Sequence, residues 1–237
     1  MSDKKYEFTG ETKIVFGVTL KRIRAVRAIG FTEAGTIGGW ISSEANLSQV
    51  SGNTWVSGDA QVSGNAWVSG DARVYGNAQV SGDAWVYGDA RVSGDAQVYG
   101  NARVYGDAQV YGDAWVYGNT WVSGDAQVYG NARVYGDAQV YGDAWVYGNA
   151  RVYGNAQVSG NARVSKPIVV ATRSDGYTFT LTHQGKNAPR IAAGRRFFTM
   201  KEAREHWTRT RGGTPLGAET DSILDHFERM IAAGALK

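Results

Sequence analysis

The sequence contains no cysteine, so disulfides, thiolate nucleophiles and thiolate metal sites are excluded. Proline is scarce, at three residues against 32 glycines, which rules out a collagen-like chain and sets the composition apart from an ordinary enzyme domain. No apolar run approaches the ~20 residues of a membrane span. No charged start leads into an apolar stretch, as a secretory signal would require. These absences predict a soluble protein of a reducing compartment, with the cytoplasm as its expected location. The charges nearly balance, 25 Lys and Arg against 22 Asp and Glu.

What is present is a repeat. Valine recurs every six residues from Val50 to Val164, giving 19 hexads of the form Val, Ser or Tyr, Gly, Asp or Asn, Ala (twice Thr), then Gln, Trp or Arg. Val86-Tyr87-Gly88-Asp89-Ala90-Arg91 is typical. Alternation through Ala, X, Val and Tyr/Ser predicts a four-residue strand with Val and Ala inward. Gly followed by Asp or Asn predicts a corner built by the pair that best tolerates positive φ. Strands this short and this regular cannot form a meander, but they can wind into a parallel solenoid.

The hexads resemble the hexapeptide-repeat left-handed β-helix family, in which three hexads make one triangular coil. The resemblance implies that residues 18 apart stack, giving about six coils. The expected fold is therefore an all-β parallel β-solenoid with a small C-terminal α+β domain. Residues 1–49 form a strand-rich cap and the first coil, 50–165 the β-helix, and 166–237 the tail domain. In the cap, Tyr6 to Phe8 and Lys13 to Ile29 read as strands, and Gly38-Gly39-Trp40-Ile41 with Leu47 as an imperfect first coil. In the tail, Asp175-Gly176 predicts a hairpin. Thr199 and Glu202 predict a capping box at a helix start. Residues 211–217 read as a loop, and a second helix is expected over about Asp221 to Ala233.

Gly38-Gly39-Trp40-Ile41 and Glu44-Ala45-Asn46-Leu47-Ser48, with Phe198-Thr199, Glu202-Ala203 and His206-Trp207 in the tail, resemble phage and prophage hexapeptide-repeat proteins of the polymer-forming type. That resemblance implies no catalytic residue.

The outer face of the rod carries any binding function. Six of the eight Trp and eleven of the thirteen Tyr lie in the repeat, and the alternation points all of them outward. Exposed aromatic surface of this extent marks an interface, stabilises the rod by coil-on-coil stacking, or does both. The 18-residue register sorts the candidates. One column holds Trp67, Trp85, Arg103 and Trp121, with Arg103 placed between indoles. A second runs Trp55, Arg73, Arg91, Gln109, Gln127 and Trp145. A third leads through Trp115, Arg133 and Arg151, with Tyr99, Tyr117, Tyr135 and Tyr153 beside it. Such residues suit protein interfaces, sugars and unstacked bases alike.

Regional charge is +2 over residues 1–49, −4 over 50–164 and +5 over 165–237. Lys201, Arg204, Arg209 and Arg211 could meet phosphate, but solvated helix charges explain them better than nucleic acid does. Asp71, Asp89, Asp107, Asp125 and Asp143 form a corner column that could serve calcium, though turn chemistry accounts for it more simply. The resembled acyltransferases and carbonic anhydrases use coil histidines as base or zinc ligand. Here His183, His206 and His226 all lie outside the hexads. The expectation is thus a non-enzymatic phage-type scaffold without cofactor or metal. Its expected partners are itself, as dimer or trimer, and a host or phage protein, with no membrane. The alternatives are a phage-encoded inhibitor of a host defence protein and a degenerate acyltransferase.

Overall fold

A computed structural model describes residues 4–50, 52–166, 168–183, 189–194 and 196–234. From Ile37 to Val164 the chain winds into a parallel β-solenoid of about seven turns. Strands 18 residues apart pair in parallel and in register, as Arg91 does with Gln109 and Val92 with Val110. Three stacked columns result. Every valine from Val56 to Val164 lies inside with at most 1% exposure, and the alanines lie beside them. At ~0.8 kcal/mol per buried methylene, this continuous Val/Ala core is the main force holding the coils together.

Most rod strands are two residues long rather than the expected four, and only Gln97–Gly100 and Trp115–Gly118 keep the full length. The hydrogen-bond ladder nevertheless runs further, because Ser69 N–H donates to Val86 C=O and Asp71 N–H to Gly88 C=O. The corner interrupts the extended backbone before it interrupts the bonding. Glycine alone takes the left-handed conformation there, not the Gly-Asp pair. Gly112, at φ +70°, also stacks so tightly that an added Cβ would lie 3.0 Å from the Gly130 nitrogen. Asp and Asn instead bond between coils, as Asn65 Nδ2 donates to Asp83 Oδ1 at 2.9 Å and Asn77 Nδ2 to Asp95 Oδ1 at 3.0 Å.

The first hexad is not a rod side. Ile41 pairs with Val62 and Leu47 bridges to Val68, three residues beyond the usual step of 18. The three extra residues fall after Leu47, and Val50 is expelled to 87% exposure. Buried Asn46 shapes this coil, donating to the carbonyls of Gly64 and Ala66 at 3.0 and 2.8 Å.

Strands β1 (Tyr6–Val15) and β2 (Val18–Ala25) form an antiparallel hairpin that continues through β3 (Ile37–Ile41) into one rod column. β1 runs well beyond the expected Phe8, while β2 ends at Ala25, short of Ile29. The hairpin turns at Phe16 and Gly17, both at positive φ, and leaves Phe16 96% exposed. Tyr6, Ile23, Ala25 and Ile29 join the core at this end.

The tail is a four-stranded antiparallel sheet of Val169–Thr172, Thr178–His183, Pro189–Ala193 and Arg196–Phe198, followed by α1 (Met200–Arg211) and α2 (Pro215–Ala232). The Asp175-Gly176 hairpin and the Thr199–Glu202 capping box are where the sequence predicts them. α2 starts six residues early: Pro215 sits in its first turn, where a missing N–H costs nothing, and Thr214 Oγ1 accepts from Gly217 N–H at 3.1 Å. One sheet face packs Phe179, Leu181, Ile191 and Phe198 against Ala203, Trp207, Leu224 and Phe227. Val170 and Phe197 pack against the rod core, so the tail covers the rod's C-terminal end.

Candidate binding surfaces on the rod

Each rod side presents two outward positions per coil, one before and one after the buried valine. Vertical stacking at strand spacing then brings like side chains face to face. The column after valine becomes a tyrosine ladder. Tyr99, Tyr117, Tyr135 and Tyr153 stack with centroid separations of 4.9, 5.1 and 5.6 Å. On a second side Tyr111, Tyr129 and Tyr147 stack at 4.8 and 5.3 Å. Ring-on-ring burial, then the charge of the next phenol, push the Tyr99 and Tyr129 hydroxyls above the usual tyrosine value. They therefore stay protonated at neutral pH and act as hydrogen-bonding groups.

The column before valine interleaves indoles and guanidinium groups. Trp67 and Trp85 meet edge to face at 5.7 Å. Arg103 lies between Trp85 and Trp121, 5.3 and 5.5 Å from their centroids, as the register predicts. Arg133 lies 4.7 Å from the Trp115 ring, and Arg151 follows it one coil later on an exposed position. Arg163 covers Trp145 at 3.7 Å. The rings thus use part of their area on one another, yet Trp85 and Trp121 remain 42% exposed. The named candidates fall into two separate surfaces, with Trp67, Trp85, Arg103 and Trp121 on one side of the rod and Trp115, Arg133, Arg151 and the four-tyrosine ladder on another.

One outward aromatic departs from expectation. Trp55 is only 5% exposed, because the first coil and β3 lie over it; a Cβ on Gly38 would come within 2.7 Å of its ring. Beside it, Arg73 extends over Phe31 at 4.9 Å.

Two of the four basic groups read as phosphate candidates face carboxylates. Arg204 reaches Asp225 and Glu228 at 2.6 and 2.9 Å, and Lys201 faces Glu205 at 3.9 Å. In the cap, Arg22 and Lys13 flank the Trp40 ring at 4.8 and 4.3 Å. His206 stacks on Phe198 at 5.1 Å beside Arg196, and burial together with Arg196 and Arg209 lowers its pKa. Among the described residues its ring meets the Arg196 guanidinium, at 3.3 Å, and no carboxylate. Among the described residues no three His, Cys, Asp or Glu side chains converge on one point.

One concavity escaped the sequence reading. A groove of about 450 Å³ lies where one rod side meets the tail, lined by Tyr105, Trp121, Ser123, Gln139 and Tyr141. Gln157 and the tail's Gly194 complete it toward the C-terminal end. Its signal in the sequence is a serine where the neighbouring coils carry tyrosine.

The rod matches the family model described as YdcK Beta solenoid repeat over residues 60–94, 96–124 and 126–166. No curated protein matches the chain. Stacking register, Val/Ala core and the repeat match together make this chain a repeat β-solenoid protein.

Proposed function

We propose that the chain is a non-enzymatic scaffold that binds protein through the aromatic sides of its rod, and first of all a second copy of itself, as a dimer or trimer. The carrying observation is the strip formed by Trp115, Arg133 and the ladder Tyr99–Tyr117–Tyr135–Tyr153, four parallel rings on a rigid backbone. Tyr, Trp and Arg are the residues that concentrate interface energy, and here their rotamers are already held by stacking, so little side-chain entropy is lost on association. The absence of histidine from the coils supports a role without acyl transfer or carbon dioxide hydration.

A second reading rests on the rod's charge of −4. An acidic, aromatic surface suits the basic face of a foreign protein, as a phage-encoded inhibitor occluding a host defence protein in the cytoplasm would need. Light scattering across micromolar concentrations tests the first reading. A dimer or trimer mass is expected. Trp115→Ser with Tyr135→Ser should weaken association about tenfold or more without unfolding the rod. A monomer mass for the parent overturns self-assembly. In that case the inhibitor reading requires a host lysate to yield one protein retained at fixed stoichiometry, and its loss from the double variant.

A further inference from the structure

On the side that stacks Trp85, Arg103, Trp121 and Gln139, the position after valine reads Tyr87, Tyr105, Ser123, Tyr141 in successive coils. Tyr87 and Tyr105 stack at 5.0 Å with their planes 3° apart. Ser123 holds the next rung. The backbone bonds of Tyr105 to Val122, Ser123 to Val140 and Tyr141 to Val158 set the three residues one above another. Two strand spacings, about 10 Å, therefore separate the tyrosines that flank Ser123. That is twice the 4.8–5.6 Å at which this rod's tyrosines stack. A flat ring midway would meet both neighbours at the separation the ladder already uses.

The space is open, because it forms part of the 450 Å³ groove between Tyr105, Ser123 and Tyr141. Around it the lining is uncharged: the Trp121 indole, the amides of Gln139 and Gln157, the Ser123 hydroxyl and the backbone at Gly194. Amides and a hydroxyl supply both donors and acceptors to a ring edge, while stacking supplies affinity to the ring face. Among the described lining residues no cation stands ready to neutralise a phosphate. We propose that the Ser123 gap is a binding slot for an uncharged heteroaromatic ring of nucleobase type, as free base or nucleoside, which completes the ladder between Tyr105 and Tyr141. The slot lies on a different rod side from the Trp115 strip and does not depend on self-association.

Isothermal titration of the full chain with adenosine, guanosine, cytidine and uridine tests this, with the 5′-monophosphates and cellotriose as comparison arms. At least one nucleoside should bind at one per chain, with its monophosphate no tighter. Ser123→Tyr, which supplies the missing rung from the chain itself, should weaken binding at least tenfold and leave the melting temperature and oligomer mass unchanged or raised. Ser93→Tyr fills the similar interruption between Tyr75 and Tyr111 on another side and should leave binding as in the parent. If Ser123→Tyr fails to fold, Tyr141→Ser, which removes one wall, must produce the loss instead. The proposal is overturned if no nucleoside binds with a Kd of about 1 mM or tighter, the level that corresponds to ~4 kcal/mol. It is equally overturned by binding of cellotriose or monophosphates alone, by binding that survives Ser123→Tyr, or by an equal loss in Ser93→Tyr.

Discussion

At the scale of single residues, the corner glycines carry two separate demands, and the rod allows them to be told apart. Gly112 has φ +70° and an added Cβ would crowd the Gly130 nitrogen at 3.0 Å. Gly154 has φ +61° with nothing within 4 Å of the same position, because no coil lies above it. Left-handed backbone costs a non-glycine residue roughly 1–2 kcal/mol. Gly154→Ala should therefore destabilise the rod by about that amount. Gly112→Ala should cost clearly more, since backbone must move to admit the methyl group. Denaturant titration of both variants measures the difference, and equal losses would show that coil stacking is looser than these distances. The glycine period was legible in the sequence from the start. Which member of the Gly-Asp pair turns the chain was not, because aspartate and asparagine also tolerate positive φ. Val50 misled for a related reason: it fits the hexad by type and spacing, and only the three extra residues after Leu47 take it out of register.

At the scale of elements, the tail hairpin carries an internal Arg173–Asp175 ion pair and is tied to α2 by hydrogen bonds, from Arg173 to Thr220 and from Ser174 to Glu219. The Arg173 guanidinium is buried, donates to both oxygens of Asp175 at 2.9 and 2.6 Å, and reaches Thr220 Oγ1 at 3.1 Å. The hydrogen bond from Arg173, with help from the Tyr177 amide, holds the Asp175 carboxyl at about 2 against an ordinary 3.8. The folded value is depressed, so the contribution to stability is complete above pH 3.8 and is lost as pH falls through about 2. Glu219, which accepts from Ser174, is shifted in the same direction. Thermal melts of the tail helices should thus fall between pH 5 and pH 2. Asp175→Asn should flatten part of that fall, and an unchanged pH profile would remove the pair from the account. The start of α1 could be read from Thr199 and Glu202, because a capping box is a local device. The strands Pro189–Ala193 and Arg196–Phe198 could not, since proline, alanine and arginine there do not alternate, and burial of Ile191 and Phe198 is settled by the helices packed over them. The tyrosine ladders and the Arg103 sandwich followed from the 18-residue register alone. The groove at Ser123 needed the tail, whose position no repeat encodes.

At the scale of the molecule, a solenoid has two ends, and each presents strands with one unsatisfied edge. At the N-terminal end the problem is solved by pairing, because β2 and β1 continue one column as antiparallel strands. At the C-terminal end it is solved mainly by packing. Ile168 N–H bonds to the Arg151 carbonyl at 3.2 Å, and above it Val170 and Phe197 close the apolar interior below Val164. The tail sheet is therefore apolar on both faces, one turned to its own helices and one to the rod. Phe197→Asp should weaken docking by about 2–3 kcal/mol through lost apolar burial and a charge placed against the core, while leaving the helix-facing residues Phe179, Leu181 and Phe198 untouched. Two outcomes are expected together: limited proteolysis releases an intact tail fragment faster than from the parent, and light scattering detects larger species as uncovered rod ends pair with one another. Faster proteolysis without growth in mass would mean that the last coil protects its own edge. Unchanged proteolysis would mean that the tail is held to the rod by contacts other than Phe197, and would sink the capping role assigned to this face.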